Sequence, residues 1–530
     1  MISKMMIRLT INNKEIEVRD GSTILEAAIA AGFEIPTMCN NGEVEHFATC
    51  MVCVVKEKAR GTYLPSCSAK AVEGMDLITN DEEIIEARKT ALELLLSEHV
   101  GDCEAPCRVA CPAFMNIPEM NRLIASGKTE KAYAIVKNDI ALPGVLGRIC
   151  PAPCEGACRR KPIDQSVAIC LLKRFTSDQS ITEPVITDKN YDKKVCIIGG
   201  GPAGLSASYY LQQKGIQTYI YDNHEKAGGA LRYSISDDIL DKSVLDYEID
   251  IIRKMGTIFL QNQQIDAKKF NELCKEFDVV VLATGNFKDD MKDWGLANDG
   301  KQILADKSTY ITNISKVFAI GNTTRTSKLA IRSAAQGKEV SVSIEQMFKG
   351  ETVTGEIRRF NSTIGRLIRE EYSEYLKEST TTERQSPSGN SGEGYSVDTA
   401  RIEAARCMHC DCRKADNCLL RNHSDDYKVS KKRFFYSERL PVVKNIANGM
   451  IAHEMIIYEP GKCIKCGICV RMTAKYTEEF GFTFIGRGFS VEIGVPFNEK
   501  IELALSKTAS KVAEACPTGA LSILEKNEKK

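Results

Sequence analysis

The residues that can do chemistry in this chain are its thiols, and they fall in runs. Between His99 and Cys170 the sequence reads HVGDCEAPCRVACP, then RICPAPCEGACRR, then VAICLL. This places Cys103, Cys107, Cys111, Cys150, Cys154, Cys158 and Cys170 in short spacings, with His99 four residues before the first. Seven cysteines and one histidine make eight ligands, the number that two 4Fe-4S clusters need. Three more sets accompany them. Cys39, Cys50, Cys53 and Cys67 are spaced x10, x2 and x13, and Cys407, Cys410, Cys412 and Cys418 are spaced x2, x1 and x5. Cys463, Cys466 and Cys469 stand in GKCIKCGICVRM, with Cys516, in EACPTGALSI, 47 residues further on. Soft thiolates at this density select iron-sulfur clusters or zinc over hard cations. Three close cysteines with a remote Cys-Pro form a specific 4Fe-4S pattern. Cys196 and Cys274 are left over in apolar segments, where a thiol serves as a small buried side chain.

A second chemistry is written in KKVCIIGGGPAGLSASYYLQQKGIQTYIYDN. An apolar strand runs into Gly199-x-Gly201-x-x-Gly204, with Pro202 and Ala203 inside the loop, followed by a helix and a second strand ending at Asp222. Glycines let a backbone approach a pyrophosphate at the helix N-terminus, and the acid is placed for a ribose hydroxyl.

The elements that must position these groups are legible from periodicity. SKMMIRLTINNKEIEVRD alternates on both sides of an Asn-Asn turn and predicts a hairpin, and GSTILEAAIAAG predicts a capped short helix ended by Gly32. DEEIIEARKTALELLLSEH predicts a helix that delivers His99 to the first thiol of its group, and MNIPEMNRLIASGKTEKAYAIVKND predicts two short helices. The Ser/Thr/Gly/Pro-rich 376–400 reads as a linker. The expected domains are 1–78, 79–190, 191–350, a helix and flexible linker over 351–400, and 401–530.

Composition bounds the function. A chain of 530 residues with 43% hydrophobic and 27% charged residues is globular, and at this length roughly 3 to 4 domains are expected. Zero net charge without a basic tail points away from nucleic acid, and no apolar run approaches the ~18 residues of a spanning helix. Without a signal-like N-terminus, the 21 cysteines read as ligands in a reducing cytoplasm rather than as disulfides.

Hairpin, helix and cysteine loop resemble the beta-grasp 2Fe-2S ferredoxin module of respiratory NADH dehydrogenase large subunits and iron hydrogenases. The resemblance implies a 2Fe-2S centre on Cys39, Cys50, Cys53 and Cys67, with structural zinc as the alternative. His99-x3-Cys103 resembles the His-ligated 4Fe-4S motif of the same subunits, although the next cysteines there are spaced x2 and x5. CPAPCEGAC and the preceding Cys-x3-Cys-Pro resemble the N-terminal cluster domain of the glutamate synthase small subunit and of dihydropyrimidine dehydrogenase, where two 4Fe-4S clusters exchange ligands between segments. The implied sets are His99, Cys103, Cys107 and Cys158 for one cluster, and Cys111, Cys150, Cys154 and Cys170 for the other. A dipole-stabilised helix-terminal histidine and simple core burial are the alternatives for His99 and Cys170. The C-terminal cysteines resemble ferredoxin-like modules of the NADH dehydrogenase large subunits, implying one cluster on Cys463, Cys466, Cys469 and Cys516. Cys407 to Cys418 supply a further 4Fe-4S set or a zinc site.

KAGGALRYSI, with Gly228, Gly229 and Arg232, resembles the FAD site of the glutamate synthase small subunit family, but Tyr-Ser-Ile-Ser stands at 233–236 where that family has Gly-Ile-Pro. FDVVVLATG, ending at Gly285, resembles the crossover into an NAD(P) domain, and VFAIGN resembles the closing FAD motif with Gly321-Asn322 for the usual Gly-Asp. Only 31 residues separate the two, too few for a second dinucleotide domain. The expected architecture is therefore multidomain α/β and α+β: a beta-grasp 2Fe-2S ferredoxin, a helical double-cluster domain, a truncated FAD-binding Rossmann-like domain lacking the NAD(P)H domain, and a C-terminal ferredoxin-like 4Fe-4S module.

With one FAD, one 2Fe-2S and about four 4Fe-4S clusters, and no nucleophile-base constellation for a catalytic role, the expected function is an electron-transfer subunit of a cytoplasmic complex. Its expected partners are a diaphorase-type subunit that binds FMN and NADH, a small 2Fe-2S thioredoxin-like subunit, soluble ferredoxin, and a hydrogenase or formate dehydrogenase, with flavin-based bifurcation as a further reading. The alternatives are a self-contained NAD(P)H-dependent oxidoreductase and a scaffold with structural clusters.

Overall fold

A computed structural model describes residues 6–45, 47–179, 187–188, 192–387, 393–434, 439–448 and 455–525. It divides the chain into two units that cut across the expected linear domains. The first comprises Met1–Glu104, Arg359–Lys377 and Cys410–Lys530, and the second Ala105–Arg358 and Glu378–His409.

In the first unit, strands Met6–Ile11 and Lys14–Arg19 pair antiparallel through Asn12 and Asn13. Both asparagines have positive φ, 50° and 65°, as a right-twisted two-residue hairpin turn demands. The strands join a five-stranded sheet in the order Lys14–Arg19, Met6–Ile11, Asp76–Ile78, Val54–Glu57, Thr62–Pro65, with Met6–Ile11 parallel to Asp76–Ile78. Ile7, Leu9 and Ile11 point to one face and pack on helix Ile24–Ala30, which Thr23 and Glu26 close with a reciprocal cap. Helix Glu82–Ser97 starts on Asp81, whose carboxylate accepts from the Ile84 N–H at 2.7 Å. The C-terminal part carries a three-stranded antiparallel sheet, Asn445–Asn448, Met455–Tyr458, Leu521–Glu525, with helices Ile468–Lys475 and Ala509–Ala515.

The second unit is built on a five-stranded parallel sheet ordered Val317–Ala319, Val279–Leu282, Lys194–Ile198, Gln217–Tyr221, Ile258–Leu260. Helix Pro202–Gln213 lies against helix Ala330–Phe348 so closely that a Cβ on Gly337 would stand 2.5 Å from the Ala203 carbonyl oxygen. Between Val279–Leu282 and Val317–Ala319 the described chain holds one 3-10 turn, Asp289–Trp294, and isolated bridges rather than a second sheet. Helices Ile117–Ala125, Thr129–Asp139, Pro143–Ile149 and Ile169–Gln179 form the helical part.

The expected flexible linker is different in one respect. Arg384 donates to the Glu155 carboxylate and the Ser166 carbonyl at 2.8 Å each, the Gln385 N–H donates to Glu403 at 2.8 Å, and the Tyr395 hydroxyl donates to the Gln385 carbonyl at 2.7 Å. Polar composition hid this anchoring because it runs through guanidinium and backbone groups rather than apolar ones. Residues 388–392 of the stretch lie outside the described residues. Among the described residues no helix is long and apolar enough to cross a membrane.

Candidate functional site

In the first unit, Cys39, Cys50 and Cys53 come from the loop after helix Ile24–Ala30, and Cys67 follows strand Thr62–Pro65. All four are buried. Ala48 and Met51, on either side of Cys50, sit at φ 53° and 56°, a conformation that costs energy for residues with a Cβ and that wraps the loop around the thiols. The Cys39 thiol lies against those of Cys50 and Cys67, and the Cys53 thiol against that of Cys67. Neighbouring thiols hold Cys39 and Cys53 well below the ordinary thiol value, and the same contacts push Cys50 and Cys67 up.

Cys463, Cys466, Cys469 and Cys516 line one cavity with Tyr458, Ile468 and Pro517. Gly467, at φ 74°, turns the chain into helix Ile468–Lys475, and the Lys465 N–H donates to Cys463 Sγ at 3.3 Å. Burial pushes Cys463 up to about 11 and Cys466 up to about 12, and raises Cys469 strongly. Such thiols keep their protons until a positive metal core compensates the buried charge, so the donor set fits a cluster.

A third group departs from the sequence-based sets. Cys103 lies with Cys412 and Cys418: the Cys412 N–H donates to the Cys103 carbonyl at 3.1 Å, and burial, with Cys412 and Cys418 nearby, raises Cys103 to about 12. A Cβ on Gly519 would stand 2.2 Å from Cys412 Sγ, so only glycine fits there. His99 is in the same unit. Burial, then the Lys431 and Lys462 cations, lower it to about 3, and its Nδ1 is buried without a hydrogen-bond partner. A neutral imidazole with an unused ring nitrogen is what metal ligation requires. Its expected companions Cys107 and Cys158 belong to the second unit, as does Cys407, whereas Cys410 belongs to the first.

In the second unit Cys111, Cys150, Cys154 and Cys170 come together. The Cys170 thiol donates to the Cys150 carbonyl at 3.9 Å and lies beside the Cys150 and Cys154 thiols, and Lys173, 3% exposed, donates to Cys170 Sγ at 3.8 Å. Burial works against the Lys173 charge, but Cys170, Cys150, Cys111 and Cys154 outweigh it and raise its pKa. Cys107 and Cys158 are half-buried and pack against the apolar core that contains Cys407. Among the described residues no three His, Cys, Asp or Glu side chains converge as they would on a single bare ion. Cluster thiolates instead bind separate irons across an inorganic core.

The glycine loop opens onto a cavity of about 310 Å³ in the second unit, lined by Gly199, Gly201, Pro202, Ala203, Asp222 and Gly229 from its near side. Thr284, Gly285, Trp294, Gly321 and Asn322 line the far side. Helix Pro202–Gln213 has no side-chain cap at Gly201, which leaves its N-terminus open where Pro202 and Ala203 line the cavity, as a pyrophosphate site needs. Asp222 lines the cavity and also ties down backbone: one carboxylate oxygen accepts from the Gly200 N–H at 2.6 Å, and the other accepts from the His224 N–H at 2.8 Å. Gly204 does not line the cavity. A Cβ there would meet the Gly199 carbonyl oxygen at 2.0 Å, so its smallness serves helix-to-loop packing. Gly228 and Arg232 also stand back. The Arg232 Nε donates to the Ala227 carbonyl at 2.8 Å and its guanidinium pairs with Asp246, holding the turn that presents Gly229. Asn322 accepts from the Ser327 N–H at 3.0 Å and donates to Asn286 at 3.2 Å. Sequence reasoning passed over Lys173, Lys462 and Trp294. The one available signal was the i, i+3 spacing of Lys173 from Cys170.

Comparison with known proteins follows these modules. Family models match a 2Fe-2S iron-sulfur cluster binding domain over residues 4–82 and the dihydropyrimidine dehydrogenase domain II 4Fe-4S cluster domain over 79–185. Others match an NAD(P)-binding Rossmann-like domain over 197–261 and the ferredoxin-like domain of NADH-quinone oxidoreductase subunit 3 over 453–522. The NADPH-Fe(3+) oxidoreductase subunit beta of Geobacter sulfurreducens is 33% identical over 41% of this chain and 34% of its own length. The NADP(+)-dependent formate dehydrogenase subunit beta of Moorella thermoacetica is 35% identical over 34% of this chain and 29% of its own. The glutamate synthase [NADPH] small chain of Bacillus subtilis is 32% identical over 42% and 48% respectively. The matches thus span between 29% and 48% of the length of these relatives. The chain thus joins regions similar to 2Fe-2S, 4Fe-4S and ferredoxin-like cluster domains and to a Rossmann-like domain, and is similar in part to the glutamate synthase small chains and to the beta subunits of NADPH-Fe(3+) oxidoreductase and NADP(+)-dependent formate dehydrogenase.

Proposed function

We propose that the chain conducts electrons between an NADH-oxidising, FMN-binding diaphorase subunit and an FAD bound at its own glycine loop. It does so in a complex with a small 2Fe-2S thioredoxin-like subunit, soluble ferredoxin and a hydrogenase or formate dehydrogenase. Two of the relatives carry subunit names from NADPH- and formate-linked oxidoreductases, which supports a place in such an assembly.

The observation that carries the reading is how thiol groups remote in sequence adjoin one another in the first unit. The Cys466 thiol feels the charge of Cys39, and both belong to one apolar core with Cys50. Phe47, between Cys39 and Cys50, packs on Gly467, between Cys466 and Cys469. Cys516 in turn neighbours Cys418, with the Leu419 N–H donating to the Pro517 carbonyl at 2.9 Å, and Cys418 neighbours Cys103. Bound at these thiols, iron-sulfur clusters supply one-electron transfer and the flavin exchanges electrons one or two at a time. The protein's part is to hold the thiols adjacent and to exclude water with Val52, Ile468 and Met472. At the flavin site, Gly201 and Gly229 let the backbone approach, and the open helix N-terminus faces the cavity.

The test is anaerobic stopped-flow mixing of the full chain with NADH and with NADPH. A conductor without its diaphorase shows slow flavin reduction, while dithionite reduces flavin and clusters readily. Rapid bleaching by either nucleotide overturns the proposal in favour of a self-contained NAD(P)H oxidoreductase. Clusters that stay silent by electron paramagnetic resonance on reduction would mark a scaffold.

A further inference from the structure

The second unit holds another cavity, of about 870 Å³, that the glycine-loop site does not use. Lys307, Arg325, Arg332 and Arg358 line it, against two carboxylates, Asp306 and Glu339. Both carboxylates are engaged. Asp306 accepts from the N–H groups of Ser308 and Thr309 at 2.9 and 2.8 Å, and Glu339 accepts from the Tyr310 hydroxyl and lies 3.8 Å from Arg358. The Arg325 and Arg332 guanidiniums and the Lys307 ammonium meet no protein acceptor among the described residues, and Arg332 is half-buried. A planar fork of donors that no protein acceptor occupies matches phosphate oxygens. Ile303, Leu304 and Ala335 provide an apolar wall on which a flat ring can lie.

We propose that this cavity binds a nucleotide through its pyrophosphate, with Arg325 and Arg332 on the phosphates. Its size falls in the range of about 300–1,000 Å³ of sites that enclose molecules of this class. Its excess of two positive charges answers a doubly charged group. The site touches both redox neighbourhoods of the unit. Cys111 is part of its lining, and so is Gln336, whose side-chain oxygen accepts from the Gly321 N–H at 2.7 Å. A nucleotide held here would be sensed at the Cys111 thiol group and at the turn facing the flavin.

The probe is ADP, titrated calorimetrically into the FAD-replete, cluster-loaded full chain, so that the glycine-loop site is already filled. One saturable site is expected. Arg325→Ala with Arg332→Ala weakens it at least tenfold, and Lys307→Glu, on an exposed turn with no partner to lose, weakens it several-fold. Flavin content and cluster spectra stay unchanged in both variants. Absence of ADP binding at millimolar concentration overturns the proposal, as does an affinity that neither variant alters, or citrate binding as tightly as ADP.

Discussion

Replacing Lys173 by Met tests whether the thiol group around it holds a cluster whose potential the protein sets. The ammonium is buried and lies 3.8 Å from Cys170 Sγ. Cys111, Cys150 and Cys154 also act on it. A fixed cation stabilises the reduced, more negative form of a nearby cluster, so its removal lowers the midpoint potential. With a charge separation of about 6 Å and an effective dielectric constant of about 20, the interaction is about 3 kcal/mol. At ~59 mV per tenfold change for one electron, that corresponds to about 120 mV. The assay is a potentiometric titration followed by electron paramagnetic resonance. One cluster signal should fall by ~120 mV and the others should stay within about 20 mV, while iron content is unchanged and Lys173→Arg restores most of the shift. Unmoved midpoints in a Lys173→Met protein with full iron content would refute the reasoning, because a charge at this distance in a buried site cannot be silent.

Three more outcomes are expected. Trp294 is the sole tryptophan, stacks on Phe270 at 4.8 Å and lines the dinucleotide cavity, so loading FAD should quench its fluorescence strongly. Unchanged emission on flavin incorporation would place the ligand elsewhere. His99, lowered to about 3 in the folded chain against an unfolded value near 6.5, takes up its proton only on unfolding. Its contribution is therefore complete above pH 6.5 and is lost as pH falls toward 3, by up to ~1.4 kcal/mol per pH unit, a slope that His99→Gln should flatten in denaturation curves. Arg421 and Glu104 form a buried pair at 2.6 Å; Arg421→Met removes this buried cation from the carboxylate and should cost about 3–5 kcal/mol by calorimetry, part of which Glu104→Gln in the same chain restores.

What could be read in the sequence was local. Spacing named the thiols, the 3.6-residue period placed the helix ahead of His99, and the strand-loop-helix-strand unit carried its own glycines. The grouping of thiols across long loops was not legible. Cys103 meets Cys412 and Cys418 because Arg359–Lys377 and Cys410–Lys530 return to the first unit, and no local pattern encodes that return. Nor does periodicity register polar supports. Arg160 and Arg406 are almost fully buried. They donate to carbonyl oxygens of Thr380 and Arg406, and of Thr382 and Gln165, at 2.6 to 2.9 Å, and so anchor a stretch whose composition reads as linker. Likewise Asp222 and Gly204 matched a pattern whose meaning is partly internal packing, which only the contacts reveal.

The interrupted path of the first unit sets a timetable for biosynthesis. Its first 104 residues emerge from the ribosome long before Cys410–Lys530 exist to meet them. At about 5–20 residues per second the wait is on the order of 20 to 90 seconds. During that time Met38, Val52, Leu92 and Leu96 lack the C-terminal residues that cover them in the finished core, while the parallel sheet of the second unit can already close. Cys103 spends the same interval without Cys412 and Cys418. Completion of this thiol group is thereby deferred until Cys412 and Cys418 have been made, and a chain cut short before Cys410 would leave the N-terminal segment without the residues that cover it.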